Sequence, residues 1–224
     1  MTARFRSWSG KLLAGALAAL ALTVGLGGAP VSARYMTGLA LLDWCRADSD
    51  TFCPGYLAAL ADYQKVLQDI GTATPRFCLP SNVKLAELRS VVLDQLGAKS
   101  PDELRAVAAN LMIPALAQRF PTLAGGLDCA EPAASYVVGY DLIGWCQDGT
   151  SHLCAGYIAG LVDYQDELQR TGTWTPRFCL AENTQLSALE QLALLRLRAN
   201  PPRELRKGAA SLVVPAFFRE FPCP

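Results

Sequence analysis

The sequence predicts an all-α protein built as two tandem four-helix domains, each stapled by two disulfides. Three observations predict this fold class: a gapless internal repeat, helical spacing of apolar residues within each copy, and eight cysteines that all follow the N-terminal segment. Each copy has roughly 90 residues, a size at which a core alone is marginal and disulfides contribute most.

The N-terminal segment, residues 1–33, has the three-part layout of a secretory signal. An apolar stretch over residues 12–28 follows three basic residues, and the small residues 31–33 (Val-Ser-Ala) form a cleavage pattern. We expect export and a mature chain that begins at Arg34. The alternative is a retained anchor helix, but about 17 mostly small residues are at the short end of what spans a bilayer.

The mature chain has a weak net charge. Removing the signal takes away three basic residues and leaves 17 basic against 20 acidic side chains. A field this weak does not indicate nucleic acid or anionic lipid as a partner. We therefore expect no nucleic-acid partner, and we expect no stable membrane insertion once the signal is cleaved.

The internal repeat has an offset of 101 residues, which aligns residues 35–121 with 136–222 without a gap. Nearly half of the aligned positions are identical, and the longest match is Thr-Pro-Arg-Phe-Cys-Leu at 74–79 and 175–180. Such a match indicates a duplication. We assign repeat 1 to residues 34–121 and repeat 2 to residues 136–224, with residues 122–135 as a Gly- and Pro-containing linker.

Apolar residues recur at helical spacing within each repeat, as at Tyr56, Leu60, Tyr63 and Leu67. Residues 100–103 (Ser-Pro-Asp-Glu) read as a capping box with proline in the first turn. The predicted helices are 36–46, 53–70, 82–96 and 101–119, with counterparts 101 residues later. Pro114 and Pro215 fall inside the last helix of each repeat and should kink it.

The cysteines predict a disulfide framework, because exported proteins meet an oxidising compartment. Zinc is less compatible, since its sites usually use pairs of cysteines with only two to four residues between them. A short turn brings together each pair that is eight residues apart, and an antiparallel hairpin brings the start of a third helix beside the end of the fourth. The predicted pairs are Cys45 with Cys53, Cys78 with Cys129, Cys146 with Cys154, and Cys179 with Cys223.

The sequence contains no recognisable pairing of a general base with a nucleophile. His152 is the only histidine, and we interpret it as an exposed turn residue rather than a general base. Asp62 and Asp163 recur in the second helix of each repeat, where a structural hydrogen bond is favoured over acid-base catalysis. We expect no enzyme activity, no cofactor and no metal site.

The motifs of the two repeats resemble the Rap/Tai family of immunity proteins that are linked to type VI secretion. The pattern is Trp-Cys, then Cys-x-Gly-Tyr, a helical Asp, Phe-Cys-Leu, and a terminal Phe-Pro-Cys. In repeat 2 its carriers are Cys146, Cys154, Gly156, Tyr157, Asp163, Phe178, Cys179, Phe221, Pro222 and Cys223. Repeat 1 matches except at its end, where Thr122 takes the place of the last cysteine.

The resemblance implies a small helical periplasmic protein that binds and inhibits a peptidoglycan amidase delivered by other cells. The tandem arrangement departs from the family's usual single domain, which suggests a covalent pseudo-dimer if family members pair.

Partner specificity is expected in the turns that join the first two helices of each repeat, since these turns differ most between the copies. The candidate partner-binding residues there are Asp48, Asp50, Gly149, Ser151 and His152. The alternative function is a periplasmic carrier or envelope scaffold with no enzyme target. A carrier would have an apolar cavity between its helices.

Overall fold

A computed structural model describes residues 35–47, 51–70, 75–122, 134–149, 152–172 and 178–223. Within these ranges each repeat contributes four α-helices, so the predicted fold class is confirmed. Repeat 1 contains α1 (Gly38–Arg46), α2 (Phe52–Asp69), α3 (Leu85–Gly97) and α4 (Ala108–Arg119). Repeat 2 contains α5 (Gly139–Gln147), α6 (Leu153–Arg170), α7 (Leu186–Arg198) and α8 (Ala209–Glu220).

The start of the fourth helix is where the sequence-based prediction is wrong. The predicted capping box forms, with the Ser100 N–H and hydroxyl both donating to Glu103 Oε2 at 2.9 and 2.8 Å, but it caps only a 3₁₀ turn. The chain is then extended at Ala106, whose carbonyl accepts from the Gly38 N–H at 2.9 Å. Pairing with the segment that enters α1 therefore replaces the first helical turns, and α4 begins at Ala108.

The two repeats pack on each other through α2 and α6, which cross at the centre of the molecule. The crossing is close because glycines face the partner helix: a Cβ at Gly160 would lie only 2.7 Å from the Tyr56 carbonyl oxygen. A Cβ at Gly55 or Gly156 would overlap backbone atoms of the opposite repeat even more severely. The glycine of the Gly-Tyr motif is therefore required by contact between the repeats.

The buried apolar residues of both repeats form one continuous core. The four tyrosines of α2 and α6 are fully buried in this core: Tyr56, Tyr63, Tyr157 and Tyr164. The large apolar face of α2 is therefore covered mainly by the other repeat, and that of α6 likewise. Neither repeat alone would bury these side chains.

Three of the predicted disulfides are confirmed: Cys45–Cys53, Cys146–Cys154 and Cys179–Cys223. The first two close the turns before α2 and α6, and the third ties the entry of α7 to the end of α8. Cys78 is also disulfide-bonded, but its predicted partner Cys129 lies outside the described residues, so that pair stays a prediction.

Candidate partner-binding surface

Two buried carboxylates join the repeats in a reciprocal arrangement. Asp62 of α2 accepts hydrogen bonds from the Tyr157 hydroxyl at 2.9 Å and from the backbone N–H groups of Tyr136 and Val137 at 2.7 and 3.1 Å. Asp163 of α6 accepts from the Tyr56 hydroxyl and the Tyr35 N–H in the equivalent geometry. Every one of these bonds crosses from one repeat to the other.

This position favours the structural interpretation of both aspartates. Asp62 is 1% exposed and Asp163 is 0% exposed, so no substrate reaches them. Burial raises the pKa of Asp62 to about 7 and that of Asp163 to about 8, although the hydrogen bonds from the opposite repeat lower both values in part. Ionisation of these carboxyl groups is therefore unfavourable in the folded chain, and the stability they contribute is lost as the pH rises through 7 and 8.

A second reciprocal pair lies further along the same helices. The Tyr63 hydroxyl donates to Gln165 Oε1, and the Tyr164 hydroxyl donates to Gln64 Oε1. The Asp-Tyr-Gln motif of both repeats thus forms bonds between the repeats. The motif fixes their relative position, and with it the position of the turns that precede α2 and α6.

Those two turns meet at one end of the molecule, because the N-termini of α2 and α6 are in contact. The His152 N–H donates to Thr51 Oγ1 at 2.8 Å, and the His152 ring packs edge-on against Trp44, with ring centroids 5.2 Å apart. We call the face formed by residues 46, 47 and 51 of repeat 1 and residues 147–149 and 152 of repeat 2 the paired-turn surface. Parts of the sequence that are 101 residues apart form one surface here.

The structure describes two of the five predicted partner-binding residues. Gly149 and His152 are both exposed on the paired-turn surface. Asp48, Asp50 and Ser151 lie outside the described residues, and their role stays a prediction. Contact between the two turns could not be predicted from the sequence.

The charges on the two halves of this surface differ. On the repeat 1 side, α1 ends with Arg46, and Arg89 of α3 donates its Nε to the Cys45 carbonyl at 2.7 Å. The equivalent positions in repeat 2 are Gln147 and Glu190, and the last turn of α5 contains no basic residue. The two helix ends are thus flanked by opposite charges.

An apolar groove between α2 and α8 is a feature that sequence reasoning missed. It has a volume of about 160 Å³, and Ile70 and Phe218 on its rim are 44% and 48% exposed. The equivalent positions on the other side of the molecule are Thr171 and Ala117. The signal in the sequence was that large apolar residues in one repeat align with smaller residues in the other at these two positions.

The pseudo-equivalent side of the molecule is closed by a polar cluster. Arg170 bonds both carboxylate oxygens of the buried Glu167, at 2.7 and 2.9 Å, and the Asn110 side chain from repeat 1 lies against the same carboxylate. Val66 takes the place of Glu167 on the open side. The pseudo-symmetry of the fold therefore does not extend to its surface.

In the described part of the chain, no group of three or more His, Cys, Asp or Glu side chains is arranged to hold a metal ion. The helices described are each too short or too polar to cross a bilayer.

Comparison with known proteins gives one match. The sequence model of a family described as Rap1a immunity proteins matches residues 37–122 and again residues 139–223. No curated protein and no solved structure matches the chain. The two matched regions coincide with the two helical repeats and together cover most of the sequence.

Proposed function

Because this chain belongs to the Rap1a immunity protein family, we propose that it acts in the periplasm by binding and inhibiting a peptidoglycan amidase effector of type VI secretion. It does so without turnover of its own. The observation that carries the proposal is the paired-turn surface, where two disulfide-closed turns are held against each other by buried contacts between the repeats.

The physical argument is preorganisation. The Cys45–Cys53 and Cys146–Cys154 disulfides restrain both turns, and the turns contact each other through Thr51 and His152. A surface that is already ordered loses little conformational entropy when it binds, which favours tight association with a protein cleft. Trp44 beside His152 supplies an aromatic side chain of the kind that dominates interface energies.

The carrier alternative receives less support from the described residues. Pockets for drug-sized ligands have volumes of about 300–1,000 Å³ and are mostly apolar, whereas the apolar groove holds about 160 Å³. A more open depression of about 500 Å³ beside it has four charged residues in its lining. Its lysines, Lys65 and Lys207, pair with Asp69 and Glu204 at 2.9 and 2.7 Å.

We expect Gly149→Arg to weaken binding of a type VI amidase encoded in the same genome by at least about tenfold. A bulky side chain on the paired-turn surface would separate the two proteins, while an exposed turn substitution alters the free energy of unfolding by less than about 0.5 kcal/mol. Isothermal titration with the purified amidase measures affinity, and thermal melting measures stability.

The matched control is Gly97→Arg, at the exposed last residue of α3, where a side chain meets no neighbouring atom. This variant should bind and inhibit like the wild type. Equal loss of binding in both variants would argue against the paired-turn surface. A wild-type chain that leaves the amidase fully active, and fails to protect cells that export it, would contradict the proposed function.

A further inference from the structure

The pseudo-symmetry of the chain gives each half of the paired-turn surface an internal reference. α3 packs on α1 as α7 packs on α5, so a residue of α3 and its counterpart 101 positions later occupy equivalent places. Arg89 and Glu190 are such a pair. Any difference in what they contact reflects their side chains and not the fold.

In repeat 1, a side chain of the protein itself lies against the carboxyl-terminal end of α1. Arg89 donates to the Cys45 carbonyl at the end of α1, and a cation there is stabilised by the negative end of the helix dipole. Arg46 adds a second positive charge to the same helix end.

In repeat 2, the equivalent place has the opposite charge. Glu190 is half-buried and pairs with no lysine or arginine among the described residues, and no lysine or arginine described bonds the Cys146 carbonyl. The side chain that acts electrostatically on Glu190 is His152, which belongs to the paired-turn surface itself. A carboxylate next to the carboxyl-terminal end of a helix is unfavourable, because the end of the helix dipole is also negative. A cation from another protein would stabilise the carboxylate and the helix end together.

We propose that the effector places a lysine or arginine side chain between Glu190 and the end of α5, in the position that Arg89 takes against α1, and that each chain binds one effector. This inference rests on the proposed function. The same effector surface cannot bind the repeat 1 half, because Arg89 already fills the place and Arg46 would repel a basic group.

The position of the two halves leads to the same stoichiometry. Thr51 and His152 are in direct contact, so the halves are parts of one surface and not two separate sites. An effector that covers one half would exclude a second effector from the other.

The test uses the full mature chain and the amidase encoded in the same genome, purified as a catalytically inactive variant. We expect a 1:1 complex by light scattering, and affinity that falls as salt is added. Glu190→Gln should weaken binding about tenfold and Glu190→Arg about a hundredfold or more, because the second change places like charges together. Glu182→Gln, an exposed carboxylate before α7, should change affinity less than twofold.

Circular dichroism and melting of each variant exclude unfolding as the cause. A complex with two effectors per chain, or an E190R variant that binds as tightly as the wild type, would overturn the inference and leave the proposed function intact. A wild-type chain that binds no amidase would overturn both.

Discussion

Gly156→Ala is expected to destabilise the folded chain by about 3 kcal/mol or more, although alanine is the better helix former. A Cβ at this position would overlap the Phe52 carbonyl of the opposite repeat. The obstacle is backbone at the crossing of α2 and α6, so no side-chain rotation removes the clash. Chemical denaturation followed by circular dichroism measures the change.

Gly144→Ala is the matched control, since Gly144 also lies within a helix but a Cβ there meets nothing. This variant should gain about 0.5–1 kcal/mol from reduced backbone entropy of the unfolded chain. Equal stability of the two variants would mean that α2 and α6 do not approach each other as closely as described.

Asp62→Ala is expected to cost about 3 kcal/mol at pH 6. The substitution removes the common acceptor of the Tyr157 hydroxyl and of two backbone N–H groups, and each buried donor left without an acceptor costs about 1–3 kcal/mol. Denaturation of Asp62→Ala, Tyr157→Phe and the double variant should give a coupling energy, because the two residues act on one hydrogen bond. Asp69→Ala, an exposed carboxylate on the same helix, should cost less than about 0.5 kcal/mol.

The pH profile of stability gives an independent check on the same carboxyl group. The folded pKa of Asp62, about 7, is above the value of about 3.9 for an unfolded chain. The protonated form is therefore preferred on folding, and the Asp62 contribution to the free energy of unfolding should decline between about pH 4 and pH 7. Asp62→Asn should make the decline shallower, and the part that Asp163 causes should remain. A wild-type stability that rises over the same range would show that hydrogen bonding to the carboxylate outweighs burial.

Local sequence patterns predicted most of the helices and the disulfides within the described residues. Helical spacing and short-range turns depend on nearby residues, so Cys45–Cys53 and the positions of α2 and α6 could be predicted without knowledge of packing. The start of the fourth helix could not. Its first turns are replaced by an extended segment at Ala106 that pairs with Gly38, a contact between residues far apart in sequence.

Only part of the candidate site could be predicted, again because local patterns do not reveal contacts between distant residues. Variation between the repeats identified the turns that contain Gly149 and His152, but nothing local indicated that the two turns meet. The information was present in the Gly-Tyr and Asp-Tyr-Gln motifs, which recur at an offset of 101 residues. A structural hydrogen bond was expected for Asp62, but its donor, the Tyr157 hydroxyl of the other repeat, could not be identified from the sequence.

Hydrogen–deuterium exchange of the free chain and of its complex with the amidase tests the central claim most directly, since it locates the contact without mutation. We expect slower exchange in the complex in peptides from both halves of the paired-turn surface, and little change around the apolar groove at Ile70 and Phe218. Protection confined to the groove, or to one side of the molecule away from both turns, would contradict the account.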